Sequence, residues 1–305
     1  MELNNEQLTL IKEIKQLKQQ KNAIILVHNY QRPEIYEIAD FIGDSLMLSQ
    51  QATKTNADII VFCGVNFMAE SAKILNPDKK VLMPALDAGC AMSDMITADK
   101  LKEKKLQYPN AKVICYVNTT AAVKAESDVC CTSSNAVKIT KSIDAKQIIF
   151  VPDRNLSDYA AQHNKDKELI PWQGFCPIHH RITKDFVTKA KTEHPEAKVV
   201  AHPECREEIL NVADHICSTE GMVTYCKQSN AKEFIILTEC GMTERLKKDI
   251  PNKQFFATCN LCHDMKKNTL ENIKKALQEE QFEVKIPEET RKKAYNALQR
   301  MLELS

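Results

Sequence analysis

Short runs of β-branched and other apolar residues alternate with amphipathic segments along the whole chain, and the alternation recurs three times in register. Ala23-Ile-Ile-Leu-Val-His-Asn-Tyr30 corresponds to Ala111-Lys-Val-Ile-Cys-Tyr-Val-Asn118 and to Ala197-Lys-Val-Val-Ala-His-Pro-Glu204. A second run begins 34 residues later in every copy, at Ala57, Ala145 and Ala231, and between the runs Asp40, Asp128 and Asp214 each stand 17 residues past the first alanine. Self-similarity at a fixed period marks a repeated structural unit. The apolar runs have strand length, and segments such as Asn66 to Leu75 and Met242 to Ile250 carry helical spacing. Each copy therefore reads as strand, helix, short strand, helix, strand, helix, strand.

That alternation calls for parallel sheets with helices on both faces. The expected fold class is α/β, with three repeated αβα units whose short parallel sheets surround a pseudo-threefold axis. Residues 1–106 form the first unit with an N-terminal helix, 107–190 the second and 191–269 the third, and a C-terminal helix within 270–305 is expected to pack on the first. Units of about 86 residues are near the small end for independent cores, so the three should pack as one body.

Composition narrows the function classes. With 42 Lys and Arg against 41 Asp and Glu the chain is nearly neutral, and no apolar run approaches the ~20 residues of a membrane helix, so neither a nucleic-acid nor a membrane role is expected. The polar N-terminus has no signal-peptide core, which predicts a cytoplasmic protein whose 12 cysteines stay reduced. Thiols there serve metal binding or core packing. The six glycines follow predicted strands, where freedom of φ or close approach to something would be useful.

Three cysteines carry the repeat further: Cys90, Cys176 and Cys262 are spaced 86 residues apart, each after the fourth strand of its unit. Three units about one axis would bring these thiolates together. They could hold a tetrahedral zinc with a fourth ligand, or three irons of a four-iron, four-sulfur cluster. Cys259-x-x-Cys262 also has the spacing of a redox dithiol or half a zinc site; the period assigns Cys262 as a ligand and leaves Cys259 as a neighbour.

In open parallel sheets ligands bind beyond the carboxyl ends of the strands. After the first strand of the three units stand His28 and Tyr30, Tyr116 and Asn118, and His202 and Glu204, at identical offsets. One such residue is commonly a packed or capping group; three equivalent polar pairs point to a site. After the second strand come Asp44-Ser45, Ser133-Ser134 and Ser218-Thr219, which read as helix N-caps and also as hydroxyls able to bind a carboxylate or phosphate at helix N-termini.

The segments His28-Asn-Tyr30, Gly43-Asp-Ser45, Asp87-Ala-Gly-Cys-Ala-Met-Ser-Asp-Met95, Tyr116-Val-Asn118, Thr132-Ser-Ser-Asn-Ala136, Gly174-Phe-Cys-Pro-Ile-His179, Ala201-His-Pro-Glu-Cys205, Ser218-Thr-Glu-Gly-Met222, Thr238-Glu-x-Gly-Met242 and Cys262-x-x-Met-Lys-x-Asn-Thr269 run in order along the chain. In them the chain resembles the quinolinate synthase family. The resemblance implies three α/β units and a [4Fe-4S] cluster on Cys90, Cys176 and Cys262, whose remaining iron acts as a Lewis acid. It further implies condensation of iminoaspartate with dihydroxyacetone phosphate to quinolinate, phosphate and water in NAD biosynthesis. Coupling to an iminoaspartate-producing enzyme and to cluster-assembly proteins would follow. On that resemblance Tyr30, His202, Glu204 and Tyr116 are catalytic, and His28, Ser45, Asn118, Ser133, His179, Ser218 and Thr219 join Tyr116, His202 and Glu204 in binding substrate. A zinc-stabilised binding module and an iron–sulfur electron carrier are the rival readings; the first leaves the three polar pairs unexplained, and the second lacks a fourth cysteine at the period.

Overall fold

The apolar runs form three four-stranded sheets, every strand parallel, in a computed structural model that describes residues 3–257 and 260–305. The first unit opens with α1 (Asn5–Gln20) and continues β1 (Ala23–His28), a 3-10 turn (Pro33–Glu37), β2 (Phe41–Gly43), α2 (Ser45–Lys54), β3 (Ile59–Cys63), α3 (Asn66–Leu75), β4 (Lys80–Leu82) and α4 (Ala98–Gln107). The second runs β5 (Lys112–Tyr116), α5 (Ala121–Ala125), β6 (Val129–Cys131), α6 (Ala136–Ser142), β7 (Gln147–Val151), α7 (Arg154–Gln162), β8 (Glu168–Pro171), α8 (Pro177–His180) and α9 (Lys184–Glu193). The third runs β9 (Lys198–Ala201), α10 (Glu207–Leu210), β10 (His215–Ile216), α11 (Thr219–Gln228), β11 (Glu233–Leu237), α12 (Gly241–Asp249) and β12 (Gln254–Ala257), followed by α13 (Leu270–Glu279) and α14 (Glu288–Leu304). The expected α/β class and element order are present.

Strand order is the same in the three sheets, β2-β1-β3-β4, β6-β5-β7-β8 and β10-β9-β11-β12. Register is the same as well. Val27 lies between Ile42 and Cys63, Cys115 between Cys130 and Val151, and Ala201 between Ile216 and Leu237. The order reverses between the first and third strand of each sheet, so the end of the first strand lies at the switch point where open α/β sheets bind ligands.

The periodic aspartates explain how a short second strand is held in register. Asp40, Asp128 and Asp214 each accept the backbone N–H of Ile25, Val113 and Val199 at 2.8 Å, while their own N–H groups bond back to the carbonyls of the same residues. One side chain thereby clips the second strand to the first in every unit.

A continuous apolar cluster joins the units, running through Leu26, Phe150 and Phe234. The charged flanks cover its sides: α1 packs on α13 and β1. The C-terminal segment departs from expectation. Although α13 lies against the first unit, α14 packs chiefly on α5 and β6 of the second and touches α3 of the first less extensively. Its buried face, Ala294, Ala297, Leu298 and Met301, covers the edge strand Val129–Cys131, and Asn135 donates to Ser305 Oγ at 2.7 Å. An apolar stripe records that a helix needs cover, but not which unit supplies it.

The glycines also act differently from a simple loop reading. None of them has positive φ, and Gly221 and Gly241 lie in the first turns of α11 and α12. Close approach is what they permit: a Cβ on Gly174 would come 2.5 Å from the Pro152 carbonyl oxygen, and one on Gly241 would press on the Tyr30 carbonyl oxygen at 3.0 Å. Among the described residues the cysteines are free thiols, and no helix is long and apolar enough to cross a membrane.

Candidate functional site

The carboxyl ends of β1, β5 and β9 open onto one cavity of about 420 Å³. Its wall holds His28, Tyr30 and Ser45 from the first unit, Tyr116, Asn118 and Ser133 from the second, and His202, Glu204 and Thr219 from the third. Cys90, Cys176, Cys262 and His179 line it too. Ser218 does not. Its hydroxyl accepts from Gly221 N to cap α11 and donates to Asp44 at 3.1 Å, and Ser134 donates to the same oxygen of Asp44 at 2.7 Å. The loops after the second strands of all three units thus close on the Asp44 carboxylate, with Ser218 behind the wall.

Helix starts place the other hydroxyls. Asp44 caps α2 by accepting from Met47 N, which leaves Ser45 as the first helical residue facing the cavity wall. Thr219 begins α11, where Asn29 Nδ2 donates to its Oγ1 at 2.9 Å. Ser133 Oγ lies 3.2 Å from His202 Nε2. Asn118 contributes a buried side-chain oxygen without a hydrogen-bond partner, an open acceptor beside the cavity.

The two histidines share a pose. Tyr30 N donates to His28 Nδ1 at 3.2 Å, and Glu204 N donates to His202 Nδ1 at 3.4 Å. A neutral ring that accepts at Nδ1 carries its proton on Nε2. Burial, reinforced by Lys266, lowers the pKa of His28 to about 3; burial, reinforced by His179, lowers that of His202 to about 3. At neutral pH both are therefore N–H donors, and neither stores a proton.

Glu204 is the buried carboxylate beside them. Burial alone would raise its pKa, but the neighbouring His179 and His202 and the Tyr116 hydroxyl, which donates to Oε1, lower it to about 2. His179 Nδ1 lies 2.6 Å from Glu204 Oε2, outside the angles of a full hydrogen bond. The other His179 nitrogen, Nε2, meets Thr238 Oγ1 at 2.7 Å, and Tyr30 OH reaches the same Thr238 oxygen at 2.6 Å. Burial and Glu204 hold the phenols of Tyr30 and Tyr116 well above their ordinary range, so both remain donors.

Burial also raises the thiol pKa values, to about 12 for Cys90 and about 11 for Cys262, with that of Cys176 raised strongly as well. A metal binding there must displace protons. Two of the three cysteine loops are tied down by carboxylates. Asp153 accepts Cys176 N at 3.1 Å and Leu156 N at 2.7 Å; Glu239 accepts Cys262 N at 3.2 Å and Gly241 N at 2.7 Å. Each links a cysteine to the start of a helix, α7 or α12. A backbone bond makes the same link in all three units, Asn66 N to Ala88 O at 2.9 Å, Arg154 N to Gly174 O at 2.9 Å and Cys240 N to Asn260 O at 3.0 Å, and in the first it stands without a carboxylate.

Comparison with known proteins decides the family. A family model described as quinolinate synthetase A protein matches residues 12–303. The quinolinate synthase of Alkaliphilus metalliredigens is 54% identical over 297 residues, which cover 97% of this chain and 98% of that protein. That of Thermodesulfovibrio yellowstonii is 55% identical over 296 residues, 96% and 98% of the two chains. That of Methanosarcina barkeri is 52% identical over 299 residues, 97% and 98%.

The chain belongs to the quinolinate synthase family. It is accordingly an enzyme.

Several residues in and behind the cavity wall carry no strong sequence signal. Asp153 and Glu239 share the 86-residue period of the cysteines, yet the first unit has Phe67 at that step, so the series is broken. Thr238 and Lys266 stand inside recognisable segments, but only the fold shows Thr238 between Tyr30 and His179, or Lys266 paired with the buried Glu239 at 3.2 Å. Among the described residues, Cys176, His179 and Glu204 form a group whose ligand atoms all lie within 4.8 Å of one another, and Cys90 and Cys262 stand outside it. Cys259 lies outside the described residues.

Proposed function

We propose that this chain condenses iminoaspartate with dihydroxyacetone phosphate to give quinolinate, phosphate and two waters, with a [4Fe-4S] cluster on Cys90, Cys176 and Cys262. The observation that carries the reading is the meeting, in one cavity, of a cysteine and a polar strand end from each of the three units. The donor set suits a cluster better than one zinc. Sulfurs on a single tetrahedral zinc stand roughly 3.8 Å apart, given bonds of about 2.3 Å, whereas Cys90 and Cys262 fall outside the one-ion group around Cys176. When bound, the cluster would supply an iron without a thiolate ligand, a Lewis acid that favours loss of a hydroxyl as water.

The side chains supply the rest. Glu204 is ionised, buried and oriented by Tyr116 and His179, and it accepts the substrate proton in the isomerisation and enamine steps. His28 and His202 donate from Nε2 to substrate oxygens, as neutral rings polarise carbonyls without carrying charge. Tyr30, braced by Thr238, returns a proton to a leaving oxygen. Ser45, Ser133, Thr219 and the Asn118 amide bind carboxylate and phosphate groups, while Ser218 acts through Asp44. NAD biosynthesis in the cytoplasm, supply of iminoaspartate by a separate enzyme, and cluster delivery by assembly proteins follow from this reaction.

The test is an anaerobic incubation of the iron-loaded protein with dihydroxyacetone phosphate and freshly generated iminoaspartate. Quinolinate that appears only when both are present supports the reading. A colourless zinc protein that makes none contradicts it.

A further inference from the structure

Cys176, His179 and Glu204 are arranged as a metal site in their own right. We propose that in the cluster-free protein these three residues hold one divalent ion of the zinc class, without Cys90 or Cys262. Their ligand atoms already lie within 4.8 Å of one another. Cys176-x-x-His179 spans the start of α8, so a single helical turn presents both residues, and Glu204 approaches from the end of β9. Thiolate, imidazole and carboxylate together form a zinc-type donor set.

The outer contacts select the ligand atoms. Thr238 Oγ1 occupies His179 Nε2 at 2.7 Å and leaves Nδ1 as the metal-facing nitrogen; Tyr116 OH occupies Glu204 Oε1 and leaves Oε2. His179 Nδ1 makes no hydrogen bond of full geometry, and its residue is only 2% exposed. It lies 2.6 Å from Oε2, closer than two ligands of one tetrahedral ion, which stand about 3.3 Å apart when bonds are about 2.0–2.1 Å. An ion between them lets the pair separate and gives Nδ1 a partner. Three protein ligands leave the fourth position to water from the cavity.

Because Cys176 belongs to both sets, the ion and the three-cysteine centre exclude one another. That consequence rests on the function proposed above; the ion binding itself does not. Zinc taken up by the stripped enzyme would then block cluster assembly until a chelator removes it.

The experiment is an anaerobic titration of the cluster-free full chain with Co²⁺, followed by displacement with Zn²⁺. One cobalt per chain is expected, with a thiolate-to-cobalt charge-transfer band. Cys90→Ser and Cys262→Ser keep the band and bind within about threefold of the parent, whereas Cys176→Ser loses the band. His179→Gln weakens binding more than a hundredfold, and Thr238→Val, which removes the outer contact to His179 Nε2 together with the one to Tyr30, weakens it about 10–100-fold. Circular dichroism of each variant separates lost binding from lost fold, and the two cysteine variants that keep the band test the assignment even where a cavity variant unfolds. Loss of the band in Cys90→Ser or Cys262→Ser, parent-like binding by a folded His179→Gln, or no cobalt uptake at all overturns the inference. A chain that makes quinolinate but takes up no cobalt when stripped refutes this site and leaves the proposed function standing; cobalt uptake without quinolinate does the reverse.

Discussion

The first and third units hold the same histidine in the same pose and set beside it side chains of opposite character. His28 and His202 both end the first strand of their sheet, both accept a backbone N–H at Nδ1 from two residues on, and both are buried and neutral. The residue two positions on differs. In the first unit it is Tyr30, a donor braced by Thr238; in the third it is Glu204, an ionised acceptor held by Tyr116. The repeated backbone fixes where a side chain points, and in the proposed reaction one side chain per unit decides whether a proton is given or taken.

The largest test of that division is Glu204→Gln, which keeps the shape and removes the acceptor. A fall in kcat of about 10²–10⁴-fold is expected, the range for loss of a general base. Tyr30→Phe removes one donor and should cost about 10–100-fold, the equivalent of a hydrogen bond to a charged or developing-charge group. Equal losses in steady-state assays of the two variants would erase the distinction between the units.

A second contrast concerns how the cysteine loops are held. Glu239→Ala leaves the Lys266 ammonium without its buried partner and frees the N–H groups of Cys262 and Gly241, so a loss of about 3 kcal/mol in denaturant unfolding is expected. Asp153→Asn keeps the size and one acceptor, and should destabilise less. If Glu239→Ala unfolds at the parent's midpoint, the carboxylate tether is not structural.

The shared histidine pose predicts a pH dependence. Both pKa values are lowered from an ordinary value near 6.5 to about 3, so the unfolded chain binds protons in this window that the folded chain does not. Stability is therefore fully present above pH 6.5 and is lost as pH falls toward 3, by up to about 1.4 kcal/mol per pH unit for each histidine. Denaturation midpoints of the cluster-free protein between pH 6.5 and 5 measure this, and His202→Gln should remove one share of the slope. A midpoint independent of pH in that range would mean that the rings are solvated.

The smallest effect is expected from the strand clip common to all units. Asp128→Ala removes one acceptor for Val113 N and should cost about 1 kcal/mol, with Asp40→Ala and Asp214→Ala similar. Unequal costs would show that the three sheets, alike in register, are unlike in stability.

What could be read from the sequence follows from what repeats. The order of elements along the chain, the periodic aspartates, the polar pairs and the three cysteines all recur at fixed offsets, so one copy checks another. Residues without that support were lost. Glu239 and Asp153 lack a counterpart where the first unit has Phe67, and Lys266 stands where the other two cysteine loops have Asp94 and His180. Ser218 has the right residue type at the right offset, yet its hydroxyl turns to Asp44, because a serine at an N-cap has a backbone acceptor role to fill before any ligand. The placement of α14 on the second unit depends on the uncovered edge at β6, a property of the assembled sheet.

The central claim is that three units contribute one ligand each to one centre. It is tested most directly by iron and sulfide analysis of the anaerobically reconstituted chain beside Cys90→Ser, Cys176→Ser and Cys262→Ser, with the buried core variant Cys63→Ser as control. About four irons and four sulfides per chain in the parent and in Cys63→Ser, with the content falling in each of the three ligand variants, is the predicted result. Full iron content in any one of the three, or zinc in place of iron in the parent, would contradict the account.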